Sequence, residues 1–554
     1  MRYNANGIEN ILNSGEGSTD GSARLGHGIA SGQPTIYREY ALPDRSFLVG
    51  TTKNRTMKHI IFKSANELVE NIKSKKNSVV EVVTAFLNHI KKNNPKINAI
   101  CDLKSDEEIL REALLKDEDL KLGKPLGLLH GLPLTIKDSF LVKGLKNSNG
   151  DPLLRNHMAE EDAELVKRLK NEGAIIIGKT NVPLYCIDWQ STNFWNGQTN
   201  NPYDITRVAG GSSGGSAVSV SSGFSPLELG ADAGGSIRVP AHFNGICGLR
   251  PTENFLSNRG HLKVPNKPQG RRHIVTPGPF AKNIDDLMLM MRVLGNNSKY
   301  TLPELPQIEF ESSKWNKKPL KIAYSETINN IEIDKEYLEI FKNFISKIKQ
   351  ESKSCEVDHP KYDEEKAYLE CSKIIGFEVG VNNPKVPLLG SFMYAFIRLK
   401  YNDHLWAKGM SLGQRLSNIK YAKAIDFKDE FSEIYERFLT KHDIWITPVC
   451  AFEAYKHQKA GKKFTVNGKR LAYTKAIASF TFTTAFSGHP IVVIPIGRKK
   501  NGMPVGVQIH SKKWTDKKLL EIAQCFEKFT DGFEIPKELL MPTLKRKTVD
   551  QLLR

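Results

Sequence analysis

The most constraining feature of the chain is a stretch at residues 210–250 in which glycine and serine are unusually dense. It reads GGSSGGSAVSVSSGFSPLELGADAGGSIRVPAHFNGICGLR. A linker of glycine and serine would be flexible and solvated, but this stretch also carries apolar residues that a solvated linker would not bury. They are Leu227, Leu229, Ile237, Val239, Phe243, Ile246 and Leu249. The stretch therefore belongs to the folded core.

Two glycine-rich motifs match this stretch in part. A phosphate-binding Walker A loop needs Gly-Lys-Ser/Thr after its first glycines, and the stretch contains no lysine. The nucleophile elbow of α/β-hydrolases, G-x-S-x-G, occurs at 210–214 and at 211–215. An elbow follows an apolar strand, whereas NPYDITRVA precedes these glycines, and nothing marks out His404 or His489 as its catalytic partner. The elbow stays open as an alternative.

The order and spacing of several blocks resemble the amidase signature family of serine hydrolases. GGSSGG at 210–215 is followed, 24 residues after Ser212, by GGSIR at 234–238. The resemblance is close over residues 60–290 and looser to residue 540. The other matching blocks are GLPLTIKDSF (131–140), TNNPYDITRVAGGSSGGS (199–216) and VPAHFNGICGLRPT (239–252).

The resemblance implies three catalytic residues. Ser236 matches the family's nucleophile, Ser212 the bridging serine with a cis peptide bond, and Lys137 the general base. A serine hydroxyl is a poor nucleophile until a base takes its proton. Lysine, with an ordinary pKa of about 10.4, can be that base only where burial keeps it neutral. Taken alone, a lysine beside Asp138 would instead indicate an exposed ion pair.

The same resemblance implies how a substrate oxygen would be held. A tetrahedral oxyanion needs preorganised donors, and glycine lets backbone amides approach it closely. The amides that match the family's oxyanion hole belong to Ala233, Gly234, Gly235 and Ser236, and the residues that match supporting positions are Ser213, Asp232 and Arg238.

Short apolar runs alternate with amphipathic windows from residue 57 onward. The apolar runs are bounded by glycine, proline or charged residues, as buried strands are. They lie at 132–136, 174–177, 320–323, 444–447 and 491–496. The helical windows are 161–171, 285–294, 335–350, 426–439 and 515–529. They follow two initial helices, one that begins at a Ser64–Glu67 capping box and one over residues 79–91. The alternation predicts an α/β fold. The resemblance implies a large twisted mixed central sheet covered on both faces by helices.

The composition also predicts a domain organisation. Residues 1–56 are rich in glycine and contain one lysine, Lys53, which is typical of a disordered extension. We expect one amidase domain over 57–545, with a helical variable insert at about 364–425, and a C-terminal tail at 546–554. Within the insert, SFMYAFIRL at 391–399 indicates packed core, with an entrance for an apolar substrate or a peripheral membrane contact as alternatives.

Charge and cysteine content exclude several classes of protein. The net charge is +19, but the cations are scattered and form no basic stripe with interleaved aromatics, so we expect no nucleic acid to bind. The chain has no run of 18 apolar residues and no signal peptide, which predicts a soluble, cytoplasmic protein. Seven cysteines without a C-x-x-C pair predict reduced, buried thiols, no metal and no cofactor.

The family hydrolyses many kinds of carboxylic amide, so the resemblance leaves the substrate open. Residues 477–490 should approach the site, and they contain no carboxylate to hold the amino group of a free amino acid. The sequence therefore predicts a small-molecule amide with an apolar acyl or aryl group, resembling the fatty acid amide hydrolase branch. The alternative is the A-type component of glutamyl-tRNA amidotransferase, which works with a tRNA-binding partner. The expected pocket residues are Phe480, Phe482 and Phe486.

Overall fold

Eleven strands form one mixed β-sheet. The computed structural model describes residues 60–266, 269, 273–380, 398–399, 401 and 403–540. From one edge to the other, the strands are β1 (Ile100–Leu103), β3 (Ile175–Thr180), β2 (Pro133–Lys137), β8 (Leu227–Asp232), β10 (Thr276–Ala281), β9 (Cys247–Arg250), β16 (Ile491–Arg498), β17 (Pro504–His510), β13 (Ile444–Pro448), β11 (Lys321–Tyr324) and β12 (Ser354–Val357).

Helices cover both faces of this sheet, so the expected α/β architecture is confirmed. They are α1 (Ala65–Lys73), α2 (Val79–Ile97), α3 (Asp106–Lys121), α4 (Glu164–Asn171), α5 (Gly214–Ser221), α6 (Arg238–Asn244), α7 (Ile284–Leu294), α8 (Lys335–Lys349), α9 (Glu364–Gly380), α10 (His404–Gly413), α11 (Asn418–Lys441), α12 (Tyr473–Ala478), α13 (Phe482–Phe486), α14 (Asp516–Glu527) and α15 (Lys537–Leu540). Three small ribbons pair β4 (Thr192–Asn193) with β5 (Gly197–Gln198), β6 (Asn200–Asn201) with β7 (Asp204–Val208), and β14 (Phe464–Val466) with β15 (Lys469–Leu471).

All five predicted strands are present, as β2, β3, β11, β13 and β16. The sequence pattern missed the other six strands of the sheet, which are β1, β8, β9, β10, β12 and β17. Strand β10 reads TPGPFA, and proline normally argues against a central strand. Pro277 and Pro279 lie two residues apart, so their backbone nitrogen atoms, which carry no hydrogen, point to the same side of β10. Strand β9 pairs only with Phe280 and Ala281 of β10, so the prolines interrupt no ladder there.

The initial helices begin where capping boxes place them. Ser64 and Glu67 form the box that starts α1, as predicted. Helix α2 begins at Val79 as expected but continues to Ile97, beyond the predicted end at residue 91. Burial of Ile97 extends the helix, and Asn98, in the left-handed conformation, ends it.

The topology brings the ends of two strands to one edge. Strand β2 lies between β3 and β8 and runs parallel to both. Because parallel strands end on the same side of a sheet, Lys137 at the end of β2 and Asp232 at the end of β8 reach the same edge.

Several predictions concern residues outside the described part of the chain. These are the extension at 1–56, the tail at 546–554 and most of the apolar patch, residues 391–397. The described residues all belong to one compact unit. Among them, the structure contains no helix with the length and apolar character needed to span a membrane.

A buried carboxylate joins α1 to α7. Asp286 accepts hydrogen bonds from the backbone amides of Ala65 at 2.8 Å and Asn66 at 3.0 Å, the first two residues of α1. We predict that Asp286→Ala lowers the free energy of unfolding by about 2 kcal/mol, since buried donors lose a charged acceptor. Urea unfolding measures this change.

The neighbouring residue supplies the control. Asp285 is exposed on the same helix, and we expect Asp285→Ala to change the free energy of unfolding by less than about 0.5 kcal/mol. Equal losses in the two variants would contradict the stabilising role of the Asp286 carboxylate as an acceptor for the first amides of α1.

Candidate active site

Three loops meet at the edge where β2 and β8 end. Lys137 closes β2, residues 233–237 connect β8 to α6, and the glycine–serine turn before α5 carries a cis peptide bond between Gly211 and Ser212. The backbone amide of Ser213 donates to the carbonyl of Ser236 at 3.2 Å. This bond joins the two glycine–serine blocks that the sequence separates by 24 residues.

The Lys137 side chain is buried among hydroxyl groups. Its Nζ lies 2.9 Å from Ser212 Oγ, 2.7 Å from Ser213 Oγ and 3.4 Å from the carbonyl oxygen of Ala231. Only 1% of Lys137 is exposed. Burial lowers the pKa of this amine from its ordinary value.

The neighbouring carboxyl groups leave the amine without an ionic partner among the described residues. Asp138, next in sequence, pairs with Lys179 at 3.5 Å, so the exposed ion pair that the sequence offered as an alternative does not form at Lys137. Burial raises the pKa of Glu228, on the adjacent strand, to about 8, which keeps that carboxyl largely uncharged at neutral pH. At Lys137, burial therefore lowers the pKa by more than the nearby negative groups raise it.

Asp232 holds the loop that follows β8. Its carboxylate pairs with Arg238, whose Nε lies 3.0 Å away, and lies 3.9 Å from Arg250. It also accepts the backbone amides of Gly235 at 2.8 Å and Ile237 at 3.1 Å. Despite complete burial, which raises it, the pKa of Asp232 is held well below its usual range by these two guanidinium groups and amides.

The two glycines of this loop are packed too closely for side chains. A Cβ on Gly234 would lie 2.6 Å from the ring of Phe482, and a Cβ on Gly235 would lie 2.4 Å from Thr481 Oγ1. Gly235 also has φ +112°, a conformation that other residues rarely adopt. Ala233 and Ser236 are the half-buried members of this loop, whereas the glycines are buried.

The three expected pocket phenylalanines are all buried, but they differ in position. Phe482 contacts Gly234 and has the rings of Tyr368 and Trp406 at 4.9 Å and 5.0 Å. Phe486 packs on the aromatic residues of α11, with Phe431 at 5.2 Å. The structure thus brings Phe482 to the loop, and it gives Phe480 and Phe486 no such contact within the described residues.

The sequence reasoning missed the segment 185–191, which contacts all three loops. Trp189 Nε1 donates to the carbonyl of Gly234 at 3.1 Å, and Ser191 Oγ donates to the carbonyl of Ser212 at 3.2 Å. The Cys186 thiol contacts the Lys137 amine. In the sequence, this segment carries no periodic pattern, so only its position after β3 could have indicated it.

The nucleophile-elbow alternative finds no support in the positions of the histidines. His489 Nε2 lies 3.0 Å from Glu436 Oε2, and His404 is exposed. The contact with Ser212 is made by Lys137 instead. The strand before the glycines, β7, belongs to a two-stranded ribbon and not to the central sheet.

The seven cysteines are free thiols, and no disulfide joins them. The prediction that they are buried is wrong for four of them. Cys101 and Cys355 lie on the two edge strands of the sheet, β1 and β12, and the sequence does not show which strands form the edges. The half-buried ones are Cys101, Cys186, Cys355 and Cys525.

The close packing at Gly235 leads to a stability prediction. Gly235→Ala should lower the free energy of unfolding by about 3 kcal/mol or more, because the methyl group meets Thr481 and the backbone is left-handed. Gly144→Ala is a matched control, since Gly144 has φ +83° and no atom lies within 4 Å of the position that its Cβ would take. It should cost about 1 kcal/mol. Equal losses in urea unfolding would contradict the steric argument.

A family model described as Amidase matches residues 81–520. Among curated relatives, the A-type component of glutamyl-tRNA(Gln) amidotransferase from Alkaliphilus metalliredigens (strain QYMF) is 28% identical over 495 residues, which cover 83% of this chain and 95% of that protein.

Solved structures give the same result. A crystal structure of an amidase superposes with a TM-score of 0.71 at 25% identity and covers 84% of this chain and 100% of that one. A bacterial aryl acylamidase of the amidase signature family, 22% identical, shares the fold with a TM-score of 0.71 over 87% of this chain and 99% of its own. The chain belongs to the amidase signature family.

Proposed function

We propose that this amidase hydrolyses carboxylic amides through a relay of Ser236, Ser212 and Lys137. The observation that carries the proposal is the buried Lys137 amine, 2.9 Å from Ser212 Oγ and without an ionic partner among the described residues. Burial favours the neutral form of this lysine, and the neutral amine can act as a base.

Hydrogen-bond counting supports the direction of proton transfer. The hydroxyl of Ser213 donates to the carbonyl oxygen of Ala231, 3.1 Å away. Because this uses its only hydrogen, Ser213 Oγ accepts the hydrogen bond from Lys137. A neutral amine has two hydrogens and one lone pair. Among the oxygen atoms around it, its hydrogens satisfy Ser213 Oγ and the Ala231 carbonyl, and its lone pair is left for the hydroxyl of Ser212.

The reaction then follows in two halves. Lys137 takes the Ser212 proton and Ser212 takes the Ser236 proton as Ser236 Oγ attacks the amide carbon. The proton returns through Ser212 to the leaving nitrogen, the C–N bond breaks, and an acyl-enzyme remains. Water then attacks the ester carbon and gives a proton to the relay. The bond from this carbon to Ser236 Oγ breaks, the relay returns the proton to Ser236 Oγ, and the acid is released.

Backbone amides at the end of β8 would hold the oxyanion. The Gly235 amide already donates to Asp232 Oδ1 at 2.8 Å. The amides of Ala233, Gly234 and Ser236 donate to no group among the described residues. Of the four amides implied by the family resemblance, we propose these three as the donors to the substrate oxygen.

We further propose an apolar acyl or aryl group on the substrate. Phe482 lies against Gly234 with Tyr368 and Trp406 around it. The nearby Asp403 carboxylate accepts from Tyr368 Oη at 2.9 Å and from the Trp406 amide at 3.0 Å, so the protein itself occupies its oxygens. These contacts favour an apolar small-molecule amide over a free amino acid. We also propose that the protein acts without a partner or a cofactor, in the cytoplasm.

The second candidate is a component of an amidotransferase. It is favoured by the relative from Alkaliphilus metalliredigens, which covers most of this chain. In this function, the same relay would release ammonia from glutamine, and a second protein would bind tRNA. The absence of a carboxylate from 477–490 argues against it.

The relay predicts the behaviour of serine-directed probes. Wild type should react with a fluorophosphonate and cleave p-nitroanilides, with a preference for apolar or aryl acyl groups. Ser236→Ala should do neither, and Ser212→Ala and Lys137→Ala should lose about 100-fold or more in rate, because proton transfer is removed. Mass spectrometry locates the label and absorbance follows p-nitroaniline.

A serine in the same stretch gives the control. Ser221 donates to the carbonyl of Val218 within α5, away from the three loops, and Ser221→Ala should label like wild type. A wild type that is inert with fluorophosphonate would overturn the relay. Labelling together with ammonia release from glutamine, and no p-nitroanilide cleavage, would favour the amidotransferase component.

The lowered pKa of Lys137 sets the pH dependence. The neutral amine is the base, so kcat/KM should rise with pH and reach a plateau once Lys137 is deprotonated. Since burial lowers this pKa below 10.5, the plateau should begin at a lower pH than for a free lysine. The rates of p-nitroanilide cleavage and of fluorophosphonate labelling, each measured from about pH 5 to about pH 10, should both show this rise with pH. A rate that falls as pH rises through this range would contradict the assignment.

A further inference from the structure

The carbonyl oxygen of Gly234 accepts two side-chain hydrogen bonds. Trp189 Nε1 donates to it at 3.1 Å, and Thr481 Oγ1 donates at 3.0 Å. Both side chains are buried, with 7% of Trp189 exposed. The donors come from separate parts of the chain, the segment after β3 and the turn before α13.

These bonds fix one peptide group from both sides. In a trans peptide, the carbonyl and the following amide point in opposite directions. The carbonyl of Gly234 points to Trp189 and Thr481, and the amide of Gly235 points to Asp232 Oδ1 at 2.8 Å. Rotation of this plane would break all three bonds, so its orientation is determined by three side chains.

The orientation of this peptide determines that of its neighbours. The amides of Gly234 and Ser236 belong to the peptides on either side, and neither donates to any group in the described part of the chain. A glycine pair has little conformational restriction of its own. Without the bonds to the Gly234 carbonyl, only the bond from the Gly235 amide to Asp232 would restrain the peptide between these two amides.

Packing adds to the same restraint. Thr481 also lies against Gly235, where a Cβ would be 2.4 Å from Thr481 Oγ1. The backbone beside Trp189 packs on the cis peptide turn, since a Cβ on Gly211 would lie 2.7 Å from the carbonyl carbon of Trp189. The segment that carries Trp189 therefore contacts both the relay turn and the oxyanion loop.

We propose that Trp189 and Thr481 are positioning residues that aim the backbone amides of the oxyanion loop at the substrate. The proposal rests on the function proposed above. Because the oxyanion forms only in the transition state, loss of these bonds should lower kcat and leave KM nearly unchanged. A residue that only supports the fold would change stability without this selectivity.

The test removes one donor at a time with little change in shape. Trp189→Phe removes the indole N–H, and Thr481→Val removes the hydroxyl. Each should lower kcat for p-nitroanilide cleavage about tenfold, with KM within about twofold of wild type. Affinity for a trifluoromethyl ketone, which forms a tetrahedral adduct with serine, should fall by the same factor as kcat/KM.

Two further variants separate positioning from stability. Thr481→Ser keeps the hydroxyl and should restore kcat to within about threefold of wild type. Trp445→Phe removes another buried indole bond, from Trp445 Nε1 to Ser325 Oγ at 2.9 Å on β13, and should leave kcat unchanged. Urea unfolding of each variant shows whether stability follows activity.

The outcomes distinguish this inference from the proposed function. An inert wild type overturns the proposed function itself. An active wild type with unchanged kcat in Trp189→Phe and Thr481→Val overturns the positioning role. A loss that tracks stability across all variants, with Trp445→Phe included, also overturns it. Selective loss of kcat and of ketone affinity in the two variants, with rescue by serine, supports it.

Discussion

The site depends on the burial of one lysine amine that has no ionic partner among the described residues. Lys137 ends a central strand, so the sheet carries it into the interior, where 1% of it is exposed. The charges around it are paired with other groups, Asp138 with Lys179 and Asp232 with Arg238. Burial can then lower the pKa of Lys137. The hydroxyl groups of Ser212 and Ser213 reduce the free-energy cost of burying the amine, because they form hydrogen bonds with it and carry no charge.

Asp232 has the complementary role on the neighbouring strand. It is a buried anion that is fully compensated, by the guanidinium groups of Arg238 and Arg250 and by the amides of Gly235 and Ile237. A compensated charge of this kind is costly to disturb, so it holds the loop that presents Ser236. In the proposed relay, one strand end thus supplies the base and the next supplies the loop that carries Ser236. Their parallel order, β2 beside β8, brings both to the same edge.

Much of this arrangement could be predicted from the sequence, for identifiable reasons. The glycine–serine blocks are local and distinctive, so the resemblance to the amidase signature family could assign roles to Lys137, Ser212 and Ser236. The alternation of apolar runs and helical windows indicated the α/β fold. Strand β10 could not be predicted, because Pro277 and Pro279 argue against a strand. The positions at which β10 leaves its backbone unpaired depend on its neighbouring strands, which the sequence does not show. Trp189 and Thr481 could not be predicted either, since their partner is a backbone carbonyl distant in sequence.

In the proposed function, catalysis and substrate choice depend on different parts of this molecule. The relay and its loop come from residues 137–238, whereas the aromatic side chains around Phe482 come from α9, α10 and α13. A substitution among these aromatic side chains can change which acyl group is accepted without moving the edge where β2 and β8 end. The aspartates nearest to these rings already accept tyrosine hydroxyls, Asp403 from Tyr368 and Asp188 from Tyr473. Binding a substrate ammonium group would have to compete with those bonds, so the same protein contacts that order the pocket wall also favour an uncharged acyl group.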